Sequence, residues 1–258
     1  MEKRKARWSA LLSPLAVLLL WEGAVAAGLL NPTYLPAPSR LASRLAELLA
    51  GGELWDHLIV TLGRLGASFV LAVVPAICLG LAFGVWRSLR LALEPVLTAL
   101  YAVPKIALLP LVMLVLGIGE RSFVATATLT GFLQMTVSTM AGVLAVERTV
   151  LEAGQNYGAH GWRLFRYVLL PSALPEIFTG MRIGLGLTLV LVIAVEFTAA
   201  QEGLGAFVWI AGQTFSVENL FSGLVVIGVL GLILTYGLER FGDWLMPWRQ
   251  RTSSALFV

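Results

Sequence analysis

The residues best suited to chemistry are polar side chains gathered in residues 152–171, EAGQNYGAHGWRLFRYVLLP, with very apolar sequence on both sides. This segment offers a carboxylate, two guanidinium groups, an imidazole and two amides, from Glu152, Arg163, Arg166, His160, Gln155 and Asn156. Such groups form ion pairs and charge-assisted hydrogen bonds with another polar surface. The segment therefore predicts a contact surface, although an ordinary amphipathic connection has the same composition.

Two short helices are predicted in this polar segment. Residues 147–157 form the first, with Glu152 in its early turns, where the helix dipole favours negative charge. Gly158 is predicted to end it, because glycine adopts a left-handed backbone at little cost. Residues 161–170 form the second, and Pro171 is predicted to end that helix and start another. Two short helices at an angle predict a knob that projects from its surroundings.

The composition indicates that these surroundings are a membrane. The chain has 258 residues, of which 58% are hydrophobic and 13% charged, whereas soluble domains carry about 25% charged residues. The predicted fold class is an all-α, polytopic membrane helix bundle. Cys78 is the only cysteine, so no internal disulfide is possible. The net charge of +3 is small and does not indicate a nucleic-acid partner.

About six transmembrane helices are predicted from runs of roughly 20 apolar residues, at 8–29, 65–85, 93–118, 122–146, 180–200 and 219–238. The third is interrupted by Pro104, Lys105 and Pro110, and a broken membrane helix needs protein or water to satisfy its freed backbone groups. The first is predicted to be a signal anchor, since no small-residue cleavage site follows it.

The remaining segments complete the predicted organisation. Residues 40–49 predict an amphipathic helix on the membrane surface, and residues 201–218 a connection that dips back into the protein or stays outside. The chain divides into residues 1–58, an N-terminal membrane helix with an external amphipathic segment; residues 59–245, a transmembrane core with the polar loop 147–180; and residues 246–258, a tail.

Basic residues are unevenly distributed between the two sides of these spans. Thirteen fall on the side of the termini: Lys3, Arg4, Lys5, Arg7, Arg87, Arg90, Arg148, Arg163, Arg166, Arg182, Arg240, Arg249 and Arg251. Four fall on the other side: Arg40, Arg44, Arg64 and Arg121. The positive-inside rule then predicts that both termini and the polar loop are cytoplasmic.

Several kinds of chemistry are missing from the sequence. There is no G-x-x-x-x-G-K-[ST] pattern, so the chain is not predicted to hydrolyse ATP. His57 and His160 are predicted on opposite sides, as are Asp56 and Asp243, which argues against a metal site and an intramembrane enzyme. A channel or secondary transporter without an ATPase remains an alternative, although no inverted repeat is evident.

The polar segment resembles the cytoplasmic EAA loop of binding-protein-dependent ABC transporter permeases. That pattern is E-A-A, three residues, G, nine residues, I, one residue, L-P. The matching positions are Glu152, Ala153, Gly158, Leu170 and Pro171. Two positions depart mildly, since Gly154 replaces the second Ala and Val168 replaces Ile.

Three other stretches resemble the subgroup of these permeases for nitrate, sulfonates, taurine and thiamine precursors. Residues 101–122 resemble its third span through Pro104, Ala107, Pro110, Leu111, Gly117, Gly119 and Glu120. Residues 170–186 resemble the pattern LP-x-A-x-P-x-I-x-x-G-x-R, and residues 194–205 resemble E followed by six residues and G-L-G. The resemblance covers residues 21–248.

The resemblance implies a type I importer permease in the bacterial inner membrane. Such permeases form dimers, homodimers being expected here, around a central pathway, with an ATP-binding subunit beneath each coupling loop and a solute-binding protein outside. The chain itself would bind no cofactor, since its partner uses the ATP. Residues 152–164 would enter the ATPase, and Arg163 and Arg166 would either pair with its acidic rim or anchor the membrane surface. The substrate would be a small anion or a vitamin precursor.

Two charged residues inside the predicted spans, Lys105 and Glu196, are candidates for the pathway. Charges within a bilayer are costly and face other helices or a water-filled route. The favoured prediction is a Lys105–Glu196 pair that fixes helix register; the alternative is contact with substrate. Pro104 and Pro110 are predicted to shape the pathway by breaking the helix.

Overall fold

The computed structural model describes the backbone of residues 2–248 and the side chains of residues 12–248. Within residues 2–248 every regular element is helical, which confirms the predicted fold class. The elements are α1 (Glu2–Ala26), α2 (Pro38–Gly51), α3 (Glu53–Val85), α4 (Arg87–Ala102), a 3₁₀ turn (Lys105–Leu108), α5 (Leu109–Leu116), α6 (Glu120–Leu144), α7 (Arg148–Asn156), α8 (Trp162–Leu164), a π-helical turn (Phe165–Leu169), α9 (Leu170–Ala199), α10 (Leu204–Gln213) and α11 (Val217–Leu245).

Four helices in the described part of the chain are long and apolar enough to cross a membrane. They are Glu53–Val85, Glu120–Leu144, Trp162–Ala199 and Val217–Leu245. A fifth span results if α4 and the Lys105–Leu116 segment are counted together, although these two bend by 90°. The apolar part of α1, Leu12–Ala26, is shorter than the ~20 residues that a span needs. The side chains of residues 8–11, within the predicted first span, lie outside the described residues, so a sixth span stays a prediction.

Helices α3, α6 and α9 form the centre of the bundle and approach one another through small residues. A Cβ added at Gly80 of α3 would lie 2.5 Å from Thr139 Cβ of α6. A Cβ added at Gly184 of α9 would lie 2.7 Å from Met135 Cγ of α6. Small residues let helix backbones pack closely. In a membrane this packing holds helices together, because the hydrophobic effect does not drive helices together in apolar lipid. The close approach of α3 and α9 to α6 therefore depends on these two glycines.

Helix α2 is the predicted amphipathic helix, and it packs on the start of α11. Its buried side chains are Leu41 and Leu48, and Arg44 Nε donates a hydrogen bond of 2.7 Å to Asn219 Oδ1 of α11. Gly52, at a φ of +84°, turns the chain from α2 into α3. Whether α2 lies on the membrane surface stays a prediction.

The segment after α9 contains the short helix α10. At ten residues it is about 15 Å long, which is half the apolar thickness of a bilayer. Leu204, Phe207 and Val208 are buried in the same apolar cluster as side chains of α3, α9 and α11. The segment therefore folds back onto the bundle rather than extending away from it.

Candidate functional site

Residues 147–171, which we call the coupling segment after the role that the resemblance implies, begin with the helix predicted from their sequence. Helix α7 follows Glu147, whose backbone is extended at φ −61° and ψ 137°. The helix ends where Gly158 adopts a φ of +85°. The Gly158 N–H donates to Gln155 O (2.9 Å), and the Ala159 N–H donates to Gly154 O (3.0 Å). The predicted first helix and its glycine terminus are both confirmed.

Gly154 is the position through which α7 packs on the following segment. A Cβ at this residue would lie 2.9 Å from Val168 Cγ2 and 3.2 Å from Leu164 Cδ1. Gly154 and Val168 are the two positions at which the sequence departs from the EAA pattern, and they face each other. The absence of a side chain at 154 therefore lets the two arms of the coupling segment approach closely.

The two faces of the coupling segment differ in exposure. Glu152, Ala153, Gly158 and Arg163 are exposed, whereas Gly154, Val168, Leu170 and Pro171 are half-buried. The exposed face also carries three aromatic side chains that the sequence analysis did not single out, Tyr157, Trp162 and Tyr167. Aromatic residues concentrated on an otherwise polar exposed face are typical of protein–protein contact surfaces.

The predicted helix end at Pro171 is wrong. One helix runs from Trp162 to Ala199, and residues Phe165–Leu169 form a π-helical turn within it. Proline has no N–H and its ring collides with a carbonyl of the preceding turn of an α-helix. The wider turn accommodates these defects, so the helix continues. The coupling segment is therefore continuous with a helix that crosses the whole bundle.

Pro104, Lys105 and Pro110 lie at the bend between α4 and α5. Pro104 is extended, and Pro110 occupies the first turn of α5, where its missing N–H is not needed. Lys105 Nζ donates a hydrogen bond of 2.6 Å to the carbonyl of Tyr101 and lies 4.9 Å from the centre of the Tyr101 ring. Lys105 thus satisfies a carbonyl that the end of α4 leaves without a partner.

The predicted Lys105–Glu196 pair is wrong, because Glu196 pairs with Arg64. Glu196 is completely buried and Arg64 is 5% exposed, and Arg64 Nη1 lies 2.9 Å from Glu196 Oε1. Thr61 Oγ1 donates a further hydrogen bond of 2.9 Å to the same carboxylate. A buried charge requires such compensation. The sequence pattern places Arg64 only among the external basic residues.

Arg64 also joins two other segments. Its Nε donates to Glu120 Oε2 (2.8 Å) at the start of α6, and its Nη1 donates to the carbonyl of Glu202 (2.6 Å). The guanidinium group lies 5.3 Å from the centre of the Phe123 ring. Nearly all of its donors are therefore used, which leaves little capacity to bind a substrate anion. We call Thr61, Arg64 and Glu196 the buried charge cluster; Glu120, whose side chain is 64% exposed, lies at its edge.

The buried charge cluster and His57 also hold the first turn of α10, which lacks a capping side chain of its own because its N-cap residue is Gly203. Gly203 N–H donates to His57 Nδ1 (3.1 Å), Leu204 N–H to Thr61 Oγ1 (2.8 Å) and Gly205 N–H to Glu196 Oε2 (2.8 Å). Helix starts leave such N–H groups without partners and favour negative charge. Glu196 thus caps α10 from another helix.

This geometry explains the pattern of Glu196 followed by G-L-G. At Gly203, with a φ of +111°, a Cβ would collide with the Glu196 carboxylate. At Gly205 a Cβ would lie 2.5 Å from the carbonyl of Ile193 and 2.7 Å from Glu196 Cβ. The two glycines are therefore required for the approach of α10 to α9. The spacing of Glu196 and the two glycines is visible in the sequence. The α3 residues that contact Glu196, however, lie more than 130 residues away from it in the chain.

In the part of the chain that the structure describes, no group of three His, Cys, Asp or Glu residues is arranged to hold a metal ion. The chemistry of both polar regions is ion pairing and hydrogen bonding. The described residues form a membrane-crossing helix bundle in which one continuous helix leads to an exposed helical knob. The class defined by fold and site is a polytopic membrane protein with an exposed surface suited to a protein partner.

The chain belongs to the family of binding-protein-dependent transport system inner membrane components, whose model matches residues 76–251. It is 35% identical over 241 residues to the taurine transport system permease protein TauC of Escherichia coli (strain K12), covering 91% of this chain and 87% of that protein. It is 35% identical over 234 residues to the riboflavin transport system permease protein RibX of Chloroflexus aurantiacus, covering 90% and 87%.

The fold is similar to that of solved ABC transporters. An inward-facing form of the MetNI methionine ABC transporter has a TM-score of 0.63 at 21% identity, with 77% of this chain and 94% of that chain covered. An amino acid ABC transporter solved with histidines has a TM-score of 0.58 at 16% identity, covering 80% and 98%. The protein is thus a multi-pass inner-membrane permease subunit of an ABC importer, and its family implies an ATP-binding subunit and a substrate-binding protein.

Proposed function

We propose that residues 147–171 are the segment through which a separate ATP-binding subunit drives this permease. The supporting observation is the division of that segment into two faces. One face packs inward through Gly154, Leu164 and Val168. The other presents Glu152 and Arg163 beside exposed aromatic rings, which is the chemistry of a hot-spot surface.

We expect a movement of this surface to be transmitted directly to the helices in the membrane. The coupling segment continues without a break into α9, whose 30 residues extend about 45 Å. α9 packs against α6 along its length and ends at the buried charge cluster. Closure of the ATPase would thus displace a helix that is tied to both ends of the bundle, which is a rigid-body route for alternating access.

Glu152→Lys tests the coupling role. Glu152 is exposed, so the substitution should change stability by no more than about 0.5 kcal/mol. It should nevertheless reduce transport-coupled ATP hydrolysis at least tenfold, because it reverses a charge on the docking face. The measurements are membrane insertion, co-purification of the ATP-binding subunit and substrate-stimulated ATPase activity. Glu176→Lys is a matched control, since Glu176 is also exposed but lies outside the segment. Full ATPase coupling in Glu152→Lys would reject the role.

The orientation of the chain is part of the same proposal. Thirteen basic residues against four support a cytoplasmic position for residues 147–180 and both termini. Single cysteines at Gln155 and Gly51, in a Cys78→Ala background, should label from opposite sides of the membrane. Labelling of Gln155 by an impermeant reagent added outside intact cells would contradict this orientation.

The substrate class is proposed more broadly, as a small organic or inorganic anion or a vitamin precursor. The support is that relatives at the same 35% identity are named for taurine and for riboflavin. Lys105 is half-buried at the bend between α4 and α5, where it is the candidate cation for contact with an anionic substrate. A ligand screen on the cognate solute-binding protein, followed by transport assays with the hits, tests the substrate class directly.

A further inference from the structure

Arg64 contacts two carboxylates that differ in their exposure. On one side it pairs with Glu196 of α9, which is completely buried. On the other side it holds Glu120, the first residue of α6, whose side chain is 64% exposed. Arg64 Nε donates to Glu120 Oε2 (2.8 Å) and Nη2 donates to Oε1, so two nitrogens bind this carboxylate. Water solvates Glu120 when this contact separates, whereas Glu196 has no such replacement for its cation.

The two contacts of Arg64 join α6 and α9 at the end of the bundle opposite the coupling segment, which we call the far end. The coupling segment connects the end of α6 at Leu144 with the start of α9 at Leu170, so the chain itself links the two helices there. At the far end, Arg64 of α3 reaches α6 through Glu120 and α9 through Glu196. A displacement of the coupling segment therefore acts on two helices whose far ends share one guanidinium group.

The packing between α6 and α9 changes along the length of the two helices. From the coupling segment to the middle of the bundle, a glycine on one helix meets a side chain of the other at four successive levels. These levels are Gly142–Glu176, Gly180–Ser138, Gly184–Met135 and Gly131–Thr188. At the far end the helices instead meet through the buried side chains of Phe123, Leu191 and Val195. Helices interlocked at glycines resist relative movement, whereas larger apolar side chains allow a small shear.

The turn between α5 and α6 leaves room for such a movement. Gly117 and Gly119 have φ values of +85° and +134°, and a Cβ added at either position would meet no atom within 4 Å. Ile118, between them, is 87% exposed. Open space of about 360 Å³ adjoins residues 116–121. The start of α6 is therefore connected to α5 by a loosely packed turn, and its contact with Arg64 opposes a shift away from α3.

We propose that Glu120 is a positioning residue for transport, whose contact with Arg64 holds the far ends of α6 and α9 together in the resting state. This inference rests on the proposed function. When the ATP-binding subunit moves the coupling segment, the Arg64–Glu120 contact separates and the buried Arg64–Glu196 pair stays intact. The start of α6 then shifts while α3 and α9 remain joined. A contact made in only one of two states favours that state by its own free energy.

The first measurement is hydrogen–deuterium exchange at the start of α6, in the permease with its ATP-binding subunit in lipid nanodiscs. The reporters are the amides of Ser122 and Phe123, which donate to Gly119 O at 3.1 and 3.2 Å. Without nucleotide, Glu120→Gln should exchange roughly fivefold faster than wild type, because the charge of the Arg64 contact is lost. ATP trapped with vanadate should accelerate exchange at the same amides in wild type.

The second measurement is ATP hydrolysis in the absence of substrate, which reports the resting state. Glu120→Gln should raise this basal rate roughly fivefold, because the resting state loses a contact that favours it. Glu120→Asp keeps the charge on a shorter side chain, so its basal rate should lie closer to wild type. Glu53→Gln is the matched control, since Glu53 is also an exposed acidic residue at the first position of a helix, α3. Its exchange and basal rate should match those of wild type.

Three outcomes would overturn the inference: wild-type exchange and basal hydrolysis in Glu120→Gln, equal changes in Glu53→Gln, or a thermal midpoint lowered as far as in Arg64→Met. The last outcome would make Glu120 a structural residue of the protomer. If instead no ATP-binding subunit co-purifies, the proposed function itself is wrong. Exchange in the permease alone separates the two cases, because it reports the Arg64–Glu120 contact without the ATP-binding subunit.

Discussion

The coupling segment and the buried charge cluster are both polar regions in an apolar chain, and they are built in opposite ways. The coupling segment is contiguous in sequence and exposes most of its polar groups. The buried charge cluster draws Thr61 and Arg64 from α3 and Glu196 from α9, and the Glu196 carboxylate is completely buried with at least three hydrogen-bond donors. The polar groups of the coupling segment are therefore free to bind a partner, whereas almost all donors and acceptors of the buried charge cluster are already used within the protein.

This difference separates a surface for partners from a structural junction. Exposed groups keep their water until a partner replaces it, so they add little to the stability of the protomer. Buried charges that lose a partner are left in a medium that cannot solvate them, so they affect stability strongly. Substitutions in the cluster should therefore impair folding, and substitutions on the exposed face of the coupling segment should impair function.

The largest expected effect follows from Arg64→Met. It leaves Glu196 buried without its cation, which costs about 3–5 kcal/mol when one partner of a buried pair is removed. Thermal unfolding in detergent and the yield of inserted protein measure the loss. Adding Glu196→Gln should recover part of it, because the uncompensated charge is then removed. A single Arg64→Met variant as stable as wild type would show that the cluster is not a structural junction.

An intermediate effect is expected from Gly203→Ala, and it can be compared directly with Gly158→Ala. Both glycines have positive φ, but only at Gly203 would a Cβ collide with another group, the Glu196 carboxylate. Gly158→Ala should cost about 1 kcal/mol from the backbone alone, and Gly203→Ala roughly 2–3 kcal/mol. Detergent melting curves measured side by side give the difference. Equal losses would mean that the corner between α9 and α10 is looser than the structure indicates.

The smallest effect is expected from Lys105→Met. It removes one hydrogen bond to the carbonyl of Tyr101 at the bend, which is worth about 1 kcal/mol. Because Glu196 has other partners, adding Glu196→Gln should give no rescue, in contrast to the Arg64 pair of variants. A double-mutant cycle in thermal stability measures this. Rescue of Lys105→Met by Glu196→Gln would reinstate the pairing that the sequence analysis favoured.

The coupling segment was largely predictable from the sequence because its determinants are local. Helix α7 has a negative charge near its start and a glycine at its end, and these features act within a few helical turns. Helix α7 and its end at Gly158 therefore follow from the sequence alone. The prediction failed at Pro171, where the local rule for proline was overridden. A π-helical turn and packing against α7 allow the helix to continue, and neither is visible in a linear pattern.

The amino-acid sequence by itself determined the helical membrane class and the first helix of residues 147–171 with its glycine end, since these depend on composition, periodicity and short spacings, and its motifs carried the resemblance to the family. Only the tertiary structure decided which charges neutralise one another. Lys105 and Glu196 had suitable predicted depths, but the partner of a buried charge is set by which helix faces meet, and α3 brings Arg64 to Glu196. The same packing turns Glu196 into a cap for α10 and explains why Gly203 and Gly205 follow it. Pairing across more than 130 residues depends on the mutual position of whole helices, which no local rule specifies.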